Sequence, residues 1–92
     1  MTGTEAPSGH FNLLYFASAA THTRKASEFL PGPSSPRQLF DELETRYPGI
    51  KAKVLDSSAL TVNLEYVDVD EAGQTIIKAG DEVAIIPPVS SG

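Results

Sequence analysis

The segment best suited to chemistry is the end of the sequence, residues 86–92, which reads Ile-Pro-Pro-Val-Ser-Ser-Gly. Its two prolines stiffen an extended exit from the preceding segment, and the extended residues after Ile86 would reach roughly 20 Å. Gly92 has no Cβ, so its α-carboxylate could enter a narrow channel in another protein with little steric hindrance. We therefore expect a reachable carboxylate at Gly92. The alternative is a frayed terminus, which composition alone favours.

The side chains form no recognisable active site. The sequence has no cysteine, which excludes disulfides and thiolate metal sites. It also has no glycine-rich phosphate loop and no nucleophile-elbow serine. His10 and His22 lie far apart without a ligand partner at helical spacing, so we expect surface histidines and no metal site. The chain in isolation is predicted not to be an enzyme and to bind no cofactor through its side chains.

The acidic residues are the remaining candidates for acid–base chemistry, which needs paired carboxylates with separated pKa values. They fall in predicted turns and on a polar strand face, which favours a solvated surface first and steering of a partner second. These residues are Glu65, Asp68, Asp70, Glu71, Asp81 and Glu82.

Length and charge limit the class of protein. Its 92 residues, 40% of them apolar, predict one small globular domain. The net charge of −5, with scattered basic residues, argues against nucleic-acid binding. This charge suits either partners with basic surfaces or solubility alone. Neither a signal peptide nor a membrane-length apolar stretch is visible, so we expect a cytoplasmic protein that does not bind a membrane.

A folded body must hold the tail, and we expect it over residues 10–86, between a flexible segment at 1–9 and an extended tail at 87–92. Residues 25–30 give a weak strand signal. Residues 11–18 predict a strand with two apolar faces, which is typical of a central strand. Phe11, Leu13 and Tyr15 would share one face of that strand, and Leu14 and Phe16 the other.

The clearest helix signal covers residues 35–47. Ser35 is a favourable N-cap, Pro36 suits the first helical position, and Gln38 completes a capping box. Pro48 then disfavours further helix. The apolar stripe that should pack on a sheet consists of Leu39, Phe40, Leu43 and Tyr47.

The second half of the chain predicts further strands. Residues 82–86 form the last strand, which is apolar on both faces and ends at Pro87 and Pro88. We expect turns at 70–73 and 80–81, and residues 75–78 are ambiguous between a short strand and a turn of helix. Residues 59–67 alternate and predict one half-buried strand. Its apolar face would carry Leu60, Val62, Leu64 and Tyr66.

Together the elements predict an α+β fold in which a mixed sheet packs on one main helix. Because the strands near both chain ends are apolar on two faces, we expect them to meet in the sheet centre. This arrangement resembles the ubiquitin-like β-grasp fold.

The end of the chain also resembles a known family. From Gly80 to Ser90 it reads Gly-Asp-Glu-Val-Ala-Ile-Ile-Pro-Pro-Val-Ser. This stretch is similar to the C-terminal signature of the small, sulfur-carrier subunit of molybdopterin synthase. Weaker similarities lie at Phe16-Ala17-Ser18, Tyr47-Pro48 and Val62-Asn63, and the resemblance covers residues 11–92.

The resemblance implies a cycle of sulfur transfer at Gly92. An ATP-dependent adenylyltransferase would adenylate the carboxylate, and a sulfurtransferase step would convert it to a thiocarboxylate. The tail would thread into the large catalytic subunit, where sulfur passes to precursor Z, a cyclic pyranopterin monophosphate. The resemblance also implies a heteromer of two small and two large subunits. The implied threading residues are Pro87, Pro88, Val89, Ser90 and Ser91, and the implied interface residues are Phe16, Tyr66 and Ile86. The alternative is that Phe16 and Ile86 fill the core.

Ser91 stands where the family pattern has glycine, and we expect its Cβ and hydroxyl to slow adenylation or sulfur transfer without altering the fold. The competing interpretations are a sulfur carrier for another pathway, such as thiazole synthesis or tRNA thiolation, and a ubiquitin-like modifier or interaction module. The Pro87-Pro88-Val89 approach to the tail favours the molybdopterin branch.

Overall fold

The computed structural model describes residues 6–67 and 75–88. The strands are β1 (His10–Tyr15), β2 (Ser27–Pro31), β3 (Ala59–Val62), β4 (Glu65–Val67) and β5 (Glu82–Ile86). The helices are α1 (Ser18–Thr23), α2 (Pro36–Arg46) and α3 (Ile50–Lys53), and a 3-10 turn follows at Leu55–Ser57. Within the described ranges, no helix has the length and apolar character needed to cross a bilayer.

The five strands form one mixed sheet in the order β2-β1-β5-β3-β4. β1 and β5 run parallel, and the other neighbouring pairs are antiparallel. The first and last strands therefore meet inside the sheet, as predicted. Parallel pairing also brings the ends of β1 and β5 to the same edge of the sheet. Phe16 and the start of the tail leave that edge side by side, and Phe16 N donates a 3.2 Å hydrogen bond to Ile85 O.

α2 covers one face of the sheet and forms the core with it. Leu39 and Leu43 are fully buried in one cluster with residues of β1, β3 and β5. Gln38 N donates to Ser35 Oγ at 3.2 Å, so the predicted N-cap is confirmed. The capping box is half formed, because the Gln38 side-chain oxygen meets the Ser35 hydroxyl at 3.4 Å instead of the Ser35 backbone N–H.

The single strand predicted over residues 59–67 is wrong, because the chain forms a β-hairpin there. Asn63 (φ 52°) and Leu64 (φ 73°) make a two-residue turn. The reversal puts Thr61 and Tyr66 on one face of the sheet and pairs Leu60 with Val67 on the other. Tyr66 therefore does not share a face with Leu60, although the alternation predicts that it does.

The sequence also does not predict the short helices. β1 ends at Tyr15, three residues before the predicted end at 18, and α1 follows. The buried side of α1 consists of Ala19 and Thr23, which are too small to produce an apolar stripe. In the ambiguous segment 75–78, Ile77 makes an isolated bridge with Ser34.

The remaining predicted elements agree with the structure within a few residues. β2 begins two residues later than predicted, at Ser27, and β5 has the predicted bounds. Gly80 adopts φ +89° in the turn expected before β5, a conformation that glycine accepts without steric cost. The turn predicted at 70–73 and the tail residues 89–92 lie outside the described residues.

Candidate functional site

The sheet face opposite α2 is built from two rows of side chains. Strand pairing aligns Leu14 with Ala84, Ala84 with Thr61, and Thr61 with Tyr66. These four residues form one row across β1, β5, β3 and β4. Phe16 and Ile86 lie two residues beyond Leu14 and Ala84, so they project to the same face in a second row. This second row lies at the edge where β1 and β5 end.

The two rows and Leu64 enclose a shallow groove of about 230 Å³. Its floor is closed by Thr61 and Ala84, which are 5% and 8% exposed. Its walls are large apolar side chains that stay in contact with solvent, since Phe16 is 47%, Leu64 86% and Tyr66 75% exposed. Clustered aromatic and aliphatic side chains that rise around a closed floor are typical of a surface that binds another protein.

The three predicted interface residues, Phe16, Tyr66 and Ile86, all line this groove. Phe16 does not fill the core, because nearly half of its surface is exposed. Tyr66 reaches the groove because the hairpin turn at Asn63 and Leu64 reverses the chain. Their contact with a partner stays a prediction.

The structure adds four groove residues that the sequence does not single out: Leu14, Thr61, Leu64 and Ala84. Leu14 and Ala84 could be found from the two apolar faces predicted for β1 and β5. Thr61 and Leu64 join the groove only through the hairpin. The local sign of that turn is Asn63 itself, because asparagine tolerates the positive φ that a two-residue hairpin turn requires.

The predicted tail begins at the same edge of the sheet. Ile86 is the last residue of β5 and lines the groove. Pro87 is buried and Pro88 is exposed. Val89 and the residues after it lie outside the described part of the chain. The groove therefore borders the point at which the tail leaves the sheet.

Known proteins have similar sequences and similar folds. The family model of the ThiS family matches residues 13–92. A molybdopterin synthase sulfur carrier subunit from Phaeosphaeria nodorum is 58% identical over 96 residues, which cover 100% of both chains. The chain belongs to this family of sulfur carrier subunits.

Solved structures place the carrier in the ubiquitin-like β-grasp fold, as predicted. The putative molybdopterin converting factor subunit 1 from Pyrococcus furiosus matches with a TM-score of 0.69 and 30% identity, over 89% of this chain and 100% of that chain. A chain in the complex of subunits 1 and 2 of molybdopterin-converting factor from Helicobacter pylori matches with a TM-score of 0.61. It is 20% identical over 90% of this chain and 99% of its own, a likeness of fold alone.

The described acidic residues lie around the hairpin turn and the start of β5, and one of them reaches the carrier's groove. Glu82 contributes to the groove lining, whereas Glu65 pairs with Val62 and is exposed on the other face of the sheet. The Asp81 carboxylate accepts hydrogen bonds from Asn63 Nδ2 at 3.1 Å and from Lys78 N at 2.8 Å. These positions agree with a solvated acidic surface. Asp68, Asp70 and Glu71 lie outside the described residues.

A second polar cluster of the carrier surrounds Glu28 on β2, whose side chain is 10% exposed. The carboxylate accepts hydrogen bonds from the hydroxyls of Tyr15 and of Tyr47, the latter at 2.7 Å, and pairs with Lys25 at 3.2 Å. Burial opposes ionisation of Glu28, but these hydrogen bonds together outweigh it and hold the pKa of Glu28 below its usual range. Burial and the adjacent carboxylate raise the pKa of Tyr15, so its hydroxyl stays a donor. The cluster ties β1 and β2 to the end of α2.

Lys51 and His10, two further polar side chains of the carrier, have partners within the chain. A cleft of about 880 Å³ beside α2 and β4 contains the ion pair between Lys51 and Asp41, at 2.9 Å. His10 Nδ1 lies 2.9 Å from Ser8 O. Across residues 6–67 and 75–88, no three His, Asp or Glu side chains come together as a metal site.

Proposed function

We propose that the α-carboxylate of Gly92 carries the sulfur. An ATP-dependent adenylyltransferase converts the carboxylate to an acyl-adenylate, because a bare carboxylate is a poor electrophile. A sulfide-level sulfur nucleophile delivered by a sulfurtransferase then attacks the acyl carbon. The C–S bond forms as the C–O bond to AMP breaks, and a thiocarboxylate remains. ATP is a substrate of that enzyme in this proposal and is not held by the side chains of the carrier.

The loaded tail then enters the large catalytic subunit of molybdopterin synthase, and its sulfur passes to precursor Z. The catalytic side chains of this step belong to the large subunit, so the carrier acts as a covalent sulfur donor. Two such transfers supply the two sulfur atoms of the dithiolene in molybdopterin. Residues 87–92 are the extended functional tail in this proposal.

The position of the groove beside the tail carries the proposal. Ile86 lines the groove and Phe16 stands next to it, so a partner that covers both would hold the base of the tail at its own surface. The extended residues that follow could reach roughly 20 Å into that partner. Docking also removes Phe16, Leu64 and Tyr66 from water, which favours association.

The charges around the groove indicate the kind of surface that it fits. Glu82 borders the apolar side chains, and the chain carries a net charge of −5. A partner surface with an apolar centre and a basic rim would complement this pattern and be steered toward it. We expect both the adenylyltransferase and the large synthase subunit to present such a surface.

The direct test is to incubate the purified chain with its adenylyltransferase, ATP and a sulfur source, and to measure its intact mass. We expect an ATP-dependent gain equal to the replacement of one oxygen by one sulfur, located on Gly92 by fragmentation. A matched control lacks only Gly92 and should gain none. A folded wild-type chain that gains no sulfur would contradict the proposal and favour an interaction module.

A second measurement distinguishes molybdopterin synthesis from other pathways of sulfur transfer. The thiocarboxylated chain is mixed with the large synthase subunit and precursor Z, and molybdopterin is quantified. We expect product only when all three components are present. A loaded carrier that neither binds the large subunit nor yields product would belong to another sulfur pathway.

Ser91 offers a test of the tail itself. Its Cβ restricts backbone angles that glycine would allow, in a segment that must thread a narrow site. We expect Ser91→Gly to form the thiocarboxylate several-fold faster with an unchanged melting temperature. Equal rates for the two chains would show that position 91 does not limit the reaction.

A further inference from the structure

We infer that Asn63 is a positioning residue for partner binding, because its side chain fixes the β3–β4 hairpin against the start of β5 and so aims Leu64 and Tyr66 into the groove. Asn63 itself is not part of the groove lining. The inference rests on the proposed function of the groove as the docking surface for the large synthase subunit.

Asn63 is held by three hydrogen bonds to Asp81 and Glu82, where β5 begins. Its side-chain amide Nδ2 donates to Asp81 Oδ1 at 3.1 Å, and its side-chain oxygen accepts from Glu82 N at 2.9 Å. Its backbone N–H donates to Glu82 O at 2.7 Å. We call this set of contacts the Asn63 clasp. It connects residues 19 positions apart along the chain, so it holds the hairpin in place over and above the β3–β5 ladder.

Asp81 is itself fixed, which makes the clasp rigid. Its second carboxylate oxygen accepts from Lys78 N at 2.8 Å, and its backbone oxygen accepts from Asn12 N at 2.9 Å. The acceptor for Asn63 Nδ2 is therefore anchored to β1 as well as to the turn before β5. The hairpin, β1 and β5 are the three elements that carry the groove.

The turn needs such support because of its backbone angles. Asn63 and Leu64 both adopt positive φ, at 52° and 73°. Asparagine accepts this region, whereas leucine does so at a steric cost. Without the clasp, local preference would favour a different turn, and a shift of the hairpin by one residue would exchange the faces of Tyr66 and Val67.

The exposure of Leu64 indicates that the steric cost of its backbone conformation serves a role outside the isolated chain. Its side chain is 86% exposed, so the folded monomer gains little from an apolar residue in this strained position. Tyr66, at 75% exposed, is in the same situation. Both side chains gain burial only when a partner covers the groove. The clasp therefore holds Leu64 and Tyr66 in position for binding, although both contribute little to the stability of the monomer.

Exchanging the side chains of Asn63 and Asp81, an amide and a carboxylate, tests the inference. Asn63→Asp removes the donor and sets two carboxylates against each other, while the added Asp81→Asn restores a donor opposite an acceptor. Affinity for the large synthase subunit is measured by calorimetry, at a temperature at which circular dichroism shows every variant folded. We expect Asn63→Asp to weaken binding at least tenfold and the double variant to return within about threefold of wild type.

Asn63→Gly is the second variant, because glycine accepts the turn but cannot form the side-chain clasp. It should weaken binding several-fold even if Asn63→Asp does not fold. A purely structural role would lower the melting temperature and leave the affinity of the folded variants unchanged. Wild-type affinity in Asn63→Gly, or no rescue in the double variant, would overturn the inference.

A measurement on the free chain keeps this result separate from the proposed function. Nuclear Overhauser contacts between the Tyr66 ring and the methyl group of Thr61, its cross-strand partner, report the hairpin position without any partner protein. We expect Asn63→Asp to weaken them and the double variant to restore them. If wild type does not bind the large subunit, the proposed function fails, and these contacts alone decide whether the clasp positions the hairpin. Unchanged contacts in Asn63→Asp would overturn the clasp.

Discussion

The two faces of the sheet use the same strands and differ in what covers them. Leu13 and Ile85 have no exposed surface beneath α2. Their neighbours in sequence, Leu14 and Ile86, are partly exposed on the opposite face and line the groove. Apolar residues on a strand therefore indicate a face that is buried by some other element, but they do not indicate which element covers it. On one face it is the chain's own helix, and on the other we propose a partner.

The largest expected effect is a difference in stability between a substitution in the core and one in the groove. Leu43 on α2 is fully buried and Leu64 is 86% exposed. Leu43→Ala should reduce the free energy of unfolding by about 2–5 kcal/mol, because it leaves a cavity in the core. Leu64→Ala should change it by less than about 0.5 kcal/mol. Urea denaturation of both variants measures the difference, and similar losses would remove the contrast between the two faces.

A second pair of substitutions separates the groove from other exposed apolar surface. Phe16 lines the groove, and Phe29 on β2 lies outside its lining with a similar exposure of 39%, against 47% for Phe16. Phe16→Ala should cost about 2 kcal/mol of binding to the large subunit, roughly 30-fold in affinity. Phe29→Ala should leave affinity within about twofold of wild type. Equal effects at the two positions would mean that general surface hydrophobicity, and not the groove, drives docking.

The smallest expected effect concerns the Glu28 cluster, which lies at the polar margin of the core. The folded-state pKa of Glu28 lies below its ordinary value of 4.5, so its ionised form contributes stability above that pH. This contribution is lost as the pH falls through the folded-state pKa. At neutral pH Glu28→Gln should reduce stability by about 1 kcal/mol, because the hydrogen bonds from Tyr15, Tyr47 and Lys25 lose a charged acceptor.

The control for that prediction is the pH dependence of the difference between wild type and Glu28→Gln. Denaturation curves collected from pH 7 to below pH 4 should show the gap closing as Glu28 is protonated, because both chains then carry a neutral group. A gap that stays constant over this range would show that the ionisation of Glu28 does not stabilise the fold.

Local signals were sufficient for the parts of the fold that depend on neighbouring residues. Ser35 and Pro36 with the apolar stripe predict α2, and the turn at Gly80 with the prolines after Ile86 predicts the bounds of β5. The two apolar faces of β1 and β5 predict that both are interior strands. They could not predict which face α2 would cover.

The hairpin shows why the rest was not predictable. Val62 and Leu64 are both apolar, so the alternation continues unchanged across the turn and reads as one strand. The hydrogen bonds that hold Asn63 come from Asp81 and Glu82, which are distant in sequence. Because the groove depends on this long-range clasp, its complete lining could not be derived from periodicity.

Methyl chemical shifts test the two-face account most directly. The chain offers neighbouring pairs that report opposite faces, Leu13 with Leu14 and Ile85 with Ile86. On titration with the large synthase subunit, we predict that the methyl signals of Leu14 and Ile86 shift or broaden strongly, while those of Leu13 and Ile85 change little. Equal changes within both pairs, or changes centred on α2, would contradict the proposal that the open face is the docking surface.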